Sequence, residues 1–228
     1  LTVTLRANQV VSGLAVTLFG TGLSGYLGQD YVGQPAGAVF GKIAVPLLSD
    51  IPIIGSILFK QDALVYISYF LVPLAAWYFY KTRSGLFLRA MGENPAAVDA
   101  AGINVFGLRY LYIVVGGALA GVAGAYLSLA YAPSWLENMT AGRGWIAVAL
   151  VIFALWDPWR AMAGSYLFGG IDALGFNLQV LGVPVSGFIL NMLPYIFTVL
   201  VLVLVLKRRG GRSASPQALG LSYDREER

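Results

Sequence analysis

Long apolar runs limit what this chain can become. They lie at residues 3–27, 63–80, 105–131, 145–156, 161–177 and 189–206. The hydrocarbon core of a bilayer is about 30 Å thick, so a helix needs roughly 20 apolar residues to cross it. Five of the runs approach that length. The run 145–156 is about half a span, near 18 Å at about 1.5 Å per residue. The pattern predicts an all-α fold, a polytopic transmembrane helical bundle with one half-length span.

Charge supports the same conclusion. Charged residues make up 11% of the chain, where a soluble domain carries roughly 25%. Of the 28 glycines, 13 sit inside the apolar runs, as is common in membrane helices. There is no His and no Cys. Thiol chemistry, His general bases and the common zinc sites are therefore excluded. The net charge of +4 is not a nucleic-acid footprint, because the basic residues flank apolar segments.

Basic residues predict orientation, since Lys and Arg accumulate on the cytoplasmic side. If the connection 81–109 is cytoplasmic and the short run crosses, alternation gathers 12 of the 15 basic residues on that side. These are Arg6, Lys81, Arg83, Arg89, Arg109, Arg160, Lys207, Arg208, Arg209, Arg212, Arg225 and Arg228, against Lys42, Lys60 and Arg143. An N-in, C-in arrangement follows. Trp77, Tyr78, Tyr80, Trp156 and Trp159 cluster at the inner edge and Tyr131, Trp135 and Trp145 at the outer, as interfacial rings do. Residues 1–209 form the transmembrane domain, expected to be preceded by further spans, and 210–228 read as a disordered cytoplasmic tail. The outer loop 28–62 contains Pro35, Pro46 and Pro52, and its apolar stretch 51–59 is expected to form a short interfacial or re-entrant helix.

The inner connection carries a local helix signal. Asn94 suits an N-cap and Pro95 the first helical position. Ala96, Ala97, Ala100 and Ala101 favour helix, and Gly102 can end it left-handed. Two turns are too few to be stable alone. Such a helix must pack either on its own chain or on a separate cytoplasmic protein.

The string Arg89-Ala-Met-Gly-Glu-Asn-Pro-Ala-Ala, followed by Ala101-Gly-Ile, resembles the cytoplasmic loop of permease subunits of ABC importers. The family serves branched-chain amino acids, ribose-type sugars and nucleosides. Gly142-Arg-Gly-Trp-Ile-Ala-Val-Ala-Leu-Val-Ile-Phe, Trp156-Asp-Pro-Trp, Gly164-Ser-Tyr-Leu-Phe-Gly-Gly-Ile-Asp-Ala-Leu, Met192-Leu-Pro-Tyr and Arg6-Ala-Asn-Gln-Val-Val-Ser-Gly-Leu are similar to the same permeases. The likeness leans toward the nucleoside branch, with ribose-type sugars next and branched-chain amino acids third. It implies a coupling helix that seats in a groove of an ATPase subunit, carried by Arg89, Gly92, Glu93, Asn94, Pro95, Ala96, Ala97, Asp99 and Gly102. It also implies two ATPase subunits, a second permease subunit (homologous or identical), an extracytoplasmic substrate-binding protein or lipoprotein, and residence among membrane lipid in the plasma membrane. No Walker A string G-x-x-x-x-G-K-[ST] occurs, so nucleotide chemistry is expected on another chain, and this one is expected to need no cofactor and no nucleic acid.

Polar residues within the spans are candidates for the translocation path. Asp172 is the sharpest, because a carboxylate at depth costs about 2.5–3.5 kcal/mol and should face a partner, water or a helix end. Its bland alternative is a structural hydrogen bond near Gly169 and Gly170. Asn8, Ser12, Asn177 and Asn191 join it, with Gln9 and Gln179 beside them. Amides at helix ends more often satisfy backbone. The short run 145–156 is expected to line the path, since a broken helix is tolerated at depth only where protein or water covers its ends. Gly117 with Gly121, and Ala120 with Gly124, permit close helix packing. The series Gly20, Gly22, Gly25 and Gly28 is expected to loosen the end of the first span. Asp172 is the one carboxylate suited to an ion-coupled secondary transporter, the main rival. An intramembrane enzyme would need converging catalytic groups that the spans lack.

Overall fold

A computed structural model describes residues 1–228 except 53, 141, 182–188, 190–191, 194, 198, 201–202, 204–206, 208–214 and 226–228. Asn191 and much of the run 189–206 lie outside the described residues. The described chain is helical. In order come α1 (Gln9–Gly28), a 3-10 turn (Gln29–Tyr31), β1 (Ile43–Ala44), α2 (Ile54–Leu58), β2 (Lys60–Gln61) and α3 (Ala63–Lys81). Then follow α4 (Arg83–Glu93), α5 (Pro95–Ala100), α6 (Val105–Tyr126), a π-helical turn (Leu127–Tyr131), α7 (Arg143–Ala154) and α8 (Pro158–Val180). Among the described residues three helical segments are both long and apolar enough to cross a bilayer: Gln9–Tyr31, Ala63–Lys81 and Val105–Tyr131. α8 has 23 residues, but Arg160, Asp172, Asn177 and Gln179 hold its hydropathy down. α7 has 12 residues, the half-length helix that the sequence predicts.

The chain divides into two compact units. The first comprises Leu1–Leu71, Arg83–Ala141 and Gln217–Arg228. In it the loop after α1 closes on itself: β1 pairs antiparallel with β2, Ile43 opposite Gln61, and α2 lies between them. α2 falls within the stretch 51–59 that the sequence marked as helical. Asp62 caps α3 by accepting from the backbone N–H of Leu64 and Val65 at 3.0 and 3.1 Å. The glycine series does not loosen α1, which runs unbroken to Gly28. Instead Gly28 makes room for a ring: a Cβ there would collide with the Trp135 indole. Among the described residues Gly117, Gly121 and Gly124 have no neighbour within 4 Å of a Cβ position, so their small size serves no helix contact there.

The second unit comprises Val72–Thr82 and Gly142–Pro216. α7 and α8 pack together in it, and Gly164 of α8 admits the Phe153 ring of α7. Gly142 begins α7 with φ 78°, and the Tyr195 hydroxyl stands where a Cβ would go. Leu155 and Trp156, at φ 55° and 58°, end α7 in the left-handed region, which costs about 1–2 kcal/mol per non-glycine residue. The turn is held by Asp157, which accepts from the Arg160 N–H and the Tyr80 hydroxyl, both at 2.9 Å.

Candidate functional site

The connection between α4 and α6 is a small packed structure. Asn94 Oδ1 accepts from the Ala97 N–H at 3.1 Å, with Pro95 at the first helical position. At the other end the Gly102 N–H reaches Asp99 O at 2.9 Å and the Ile103 N–H reaches Val98 O at 3.3 Å, with Gly102 at φ 80°. This closes α5 with the six-to-one bond of a Schellman end. Asn104 then caps α6 by accepting from the Gly107 N–H at 2.9 Å.

α5 packs on its own chain. Val98 is 4% exposed and joins Met91, Val105 and Tyr223 in a buried cluster ringed by Leu88, Ala96, Ile103 and Phe106. The opposite face, Glu93, Asn94, Ala97, Ala100 and Ala101, is exposed. Small residues at helical spacing make it flat.

Tyr223 belongs to the tail that the sequence reads as disordered. Residues 217–225 instead lie against α4 and α5. The Ala218 N–H donates to Gly92 O at 2.9 Å, and Arg109 donates to Leu221 O at 3.3 Å. The Tyr223 hydroxyl donates to Asp99 Oδ2 at 3.0 Å, and Arg225 grips both oxygens of that carboxylate at 2.9 and 2.5 Å. Arg6 pairs with Asp224. The Asp99 side chain is thereby left 5% exposed, and its hydrogen bonds hold the Arg225 guanidinium more firmly protonated than usual. A buried aromatic ring and a forked ion pair override the Gly/Ser/Pro composition.

The candidate coupling residues therefore differ in position. Arg89, Glu93, Asn94 and Ala97 are exposed, Gly92, Pro95 and Ala96 are half-buried, and Asp99 anchors the tail. Ala100 and Ala101 share the exposed face, which their helical spacing from Ala97 could have shown. The path candidates belong to different units. Asn8 caps α1, its Oδ1 accepting from the Val10 and Val11 N–H groups at 3.0 and 3.2 Å, and Ser12, one turn on, is buried and donates its backbone N–H to Asn8 O at 2.9 Å. Asp172 is half-buried in the middle of α8. Asn177 Nδ2 donates to Ala173 O at 2.9 Å, the backbone-satisfying role.

The sequence reading missed a cavity of about 490 Å³ in the first unit. α1 contributes Thr17, Gly20, Thr21 and Ser24 to its walls, the π-helical turn contributes Ser128, and the following loop contributes Trp135 and Asn138. The spacing 17, 21, 24 puts three hydroxyls on one helical face, and that spacing was the available signal.

Span-length helices, a half-length helix and a capped two-turn helix between spans define a multi-pass α-helical membrane protein. The family described as branched-chain amino acid transport system/permease component matches residues 1–206, and the chain belongs to it. A protein of Haloferax volcanii provisionally named glucose ABC transporter permease protein is 39% identical over 99% of this chain and 75% of its own. The nucleoside ABC transporter permease protein of Lactococcus lactis is 39% identical over 97% of this chain and 71% of its own. The guanosine ABC transporter permease protein of Bacillus subtilis is 31% identical over 97% and 70%. No solved structure matches the chain.

Proposed function

We propose that this chain is the membrane-spanning permease subunit of an ATP-driven importer for nucleosides or simple sugars, working by alternating access in the plasma membrane. The observation that carries the coupling mechanism is the two-faced α5. Its inner face is buried on Met91, Val105 and Tyr223, and its outer face is flat and exposed. A docked ATPase subunit could push on that face and move α4 and α6 with it. The permease names of the relatives support the transport role, and their glucose, nucleoside and guanosine titles support the solute class. The lack of a Walker A string supports ATP hydrolysis on a separate subunit. A second permease subunit and an extracytoplasmic binding protein complete the assembly.

Orientation draws support from the tail. Arg6 pairs with Asp224, Arg225 pairs with Asp99, and Arg109 donates to Leu221 O. These contacts support a reading with the N-terminus, the connection 81–109 and the tail on one side, and the basic excess supports the cytoplasm as that side.

The test is the double variant Glu93→Lys with Ala97→Trp. Both positions are exposed, so insertion and the folded state should persist while ATPase association and uptake are lost. Normal uptake by that variant would contradict the coupling role.

A further inference from the structure

We propose that the cavity between α1 and the turn after α6 is a solute-binding site for a neutral, polyhydroxylated ring, presented either as the ribose of a nucleoside or as a free sugar. This deepens the permease reading and rests on it. The volume of about 490 Å³ falls among small-molecule sites, roughly 300–1,000 Å³.

The wall chemistry selects the class. Among the described residues no Lys or Arg lines the cavity, and the one carboxylate near it, Glu137, has its Oε1 3.5 Å from where a Gly25 Cβ would lie. The carboxylate of a zwitterionic amino acid would find no cation on these walls, and an unpaired charge taken from water is costly. Three of the hydroxyls on the walls are of one kind. Thr17 Oγ1 donates to Gly13 O at 2.8 Å, Thr21 Oγ1 to Thr17 O at 2.9 Å and Ser128 Oγ to Ala125 O at 3.2 Å. Each has spent its proton on backbone and keeps lone pairs to accept another hydrogen bond. Such a wall fits a solute rich in O–H donors, and the Asn138 amide adds both donor and acceptor. Trp135 supplies a flat apolar face. Its indole lies in the notch left by Gly28, so the ring has a seat that a larger residue would fill. Sugar rings and nucleobases stack on such faces. The π-helical turn Leu127–Tyr131 borders the cavity, and π turns are rare and concentrate at functional sites.

The chain has no cysteine, so Thr21→Cys and, as an independent second variant, Ser24→Cys each introduce one thiol. Each permease variant is reconstituted with its ATPase and binding-protein partners and treated with a water-soluble methanethiosulfonate reagent. Uridine, glucose or leucine is present at saturating concentration. Uridine or glucose at about ten times its Kd should slow modification roughly ten-fold by occupancy, and leucine should not. Protection by uridine alone assigns a nucleoside, and protection by glucose alone assigns a free sugar. Gly20 has nothing within 4 Å of a Cβ position, so Gly20→Phe should fill the cavity. Uptake should then fall while the variant still assembles with its ATPase. If neither thiol is protected while wild-type uptake of uridine or glucose persists, the cavity assignment falls and the permease reading stands. Equal protection by leucine also overturns the assignment. Wild-type uptake of leucine, with neither uridine nor glucose carried, overturns the solute reading itself.

Discussion

Removing the Tyr223 ring should free the tail and loosen α5. Tyr223 is 7% exposed, its ring centroid lies 5.9 Å from that of Phe106, and its hydroxyl bonds Asp99. Truncating a large buried aromatic to Ala costs about 3–5 kcal/mol. The lower end applies, because this cluster lies under an exposed strap that can collapse or admit water. Tyr223→Phe keeps the ring and removes one hydrogen bond, a net cost of about 1 kcal/mol, since Arg225 still satisfies Asp99. The assay is hydrogen exchange at the Ala218 amide, which donates to Gly92 O, in the full chain reconstituted in lipid. A loss of about 3 kcal/mol speeds opening roughly 100-fold, and about 1 kcal/mol speeds it roughly 5-fold. Exchange at Val98 should rise in the same order, because two helical turns do not hold without packing. Unchanged Ala218 exchange in Tyr223→Ala would refute the reasoning, as would equal effects of Ala and Phe.

The Asp157 cap should respond to acid. The Arg160 N–H holds its carboxyl below the ordinary value of 3.8; partial burial opposes this, while the Tyr80 hydroxyl and the Arg160 charge add to it. A depressed pKa means the cap contributes fully above the ordinary value and is lost as pH falls through the depressed one. Exchange over the first turn of α8 should therefore rise only below about pH 4, and Asp157→Ala should show the raised level at neutral pH with no acid step. At the start of α7, Gly142→Ala meets both φ 78° and the Tyr195 hydroxyl and should lower the unfolding temperature in detergent, the backbone alone costing about 1–2 kcal/mol. Gly144→Ala, inside the same helix with nothing within 4 Å of its Cβ position, should raise it, by about 0.5–1 kcal/mol.

What the sequence reveals here is local. Asn94, Pro95 and Gly102 announce the start and end of α5 because capping acts within a few residues of chain. The half-length of α7 is likewise a count of apolar residues. The tail is different. Its composition favours disorder, and its order comes from Tyr223 and Arg225 meeting Asp99 across more than a hundred residues of sequence, which no local pattern encodes. The α1 glycines mislead for a related reason: Gly28 reads as a weak point until Trp135, more than a hundred residues further along the chain, fills the space it leaves. The cavity walls belong to α1 and to the segment after α6, so Thr17, Thr21 and Ser24 pass for ordinary helix positions until Ser128 and Trp135 stand opposite.

A cross-link from the exposed face of α5 is the most direct measurement of force transfer. With no native cysteine, Ala97→Cys gives one reactive position on that face and Val98→Cys, 4% exposed, gives a buried control. A short reagent with one thiol-reactive and one photoreactive end, which inserts into nearby C–H or N–H bonds, should join Ala97→Cys to a separate ATPase subunit, with a yield that changes on ATP binding, and should leave Val98→Cys unjoined. Failure to capture any ATPase, together with solute movement by the purified chain alone, would contradict the account.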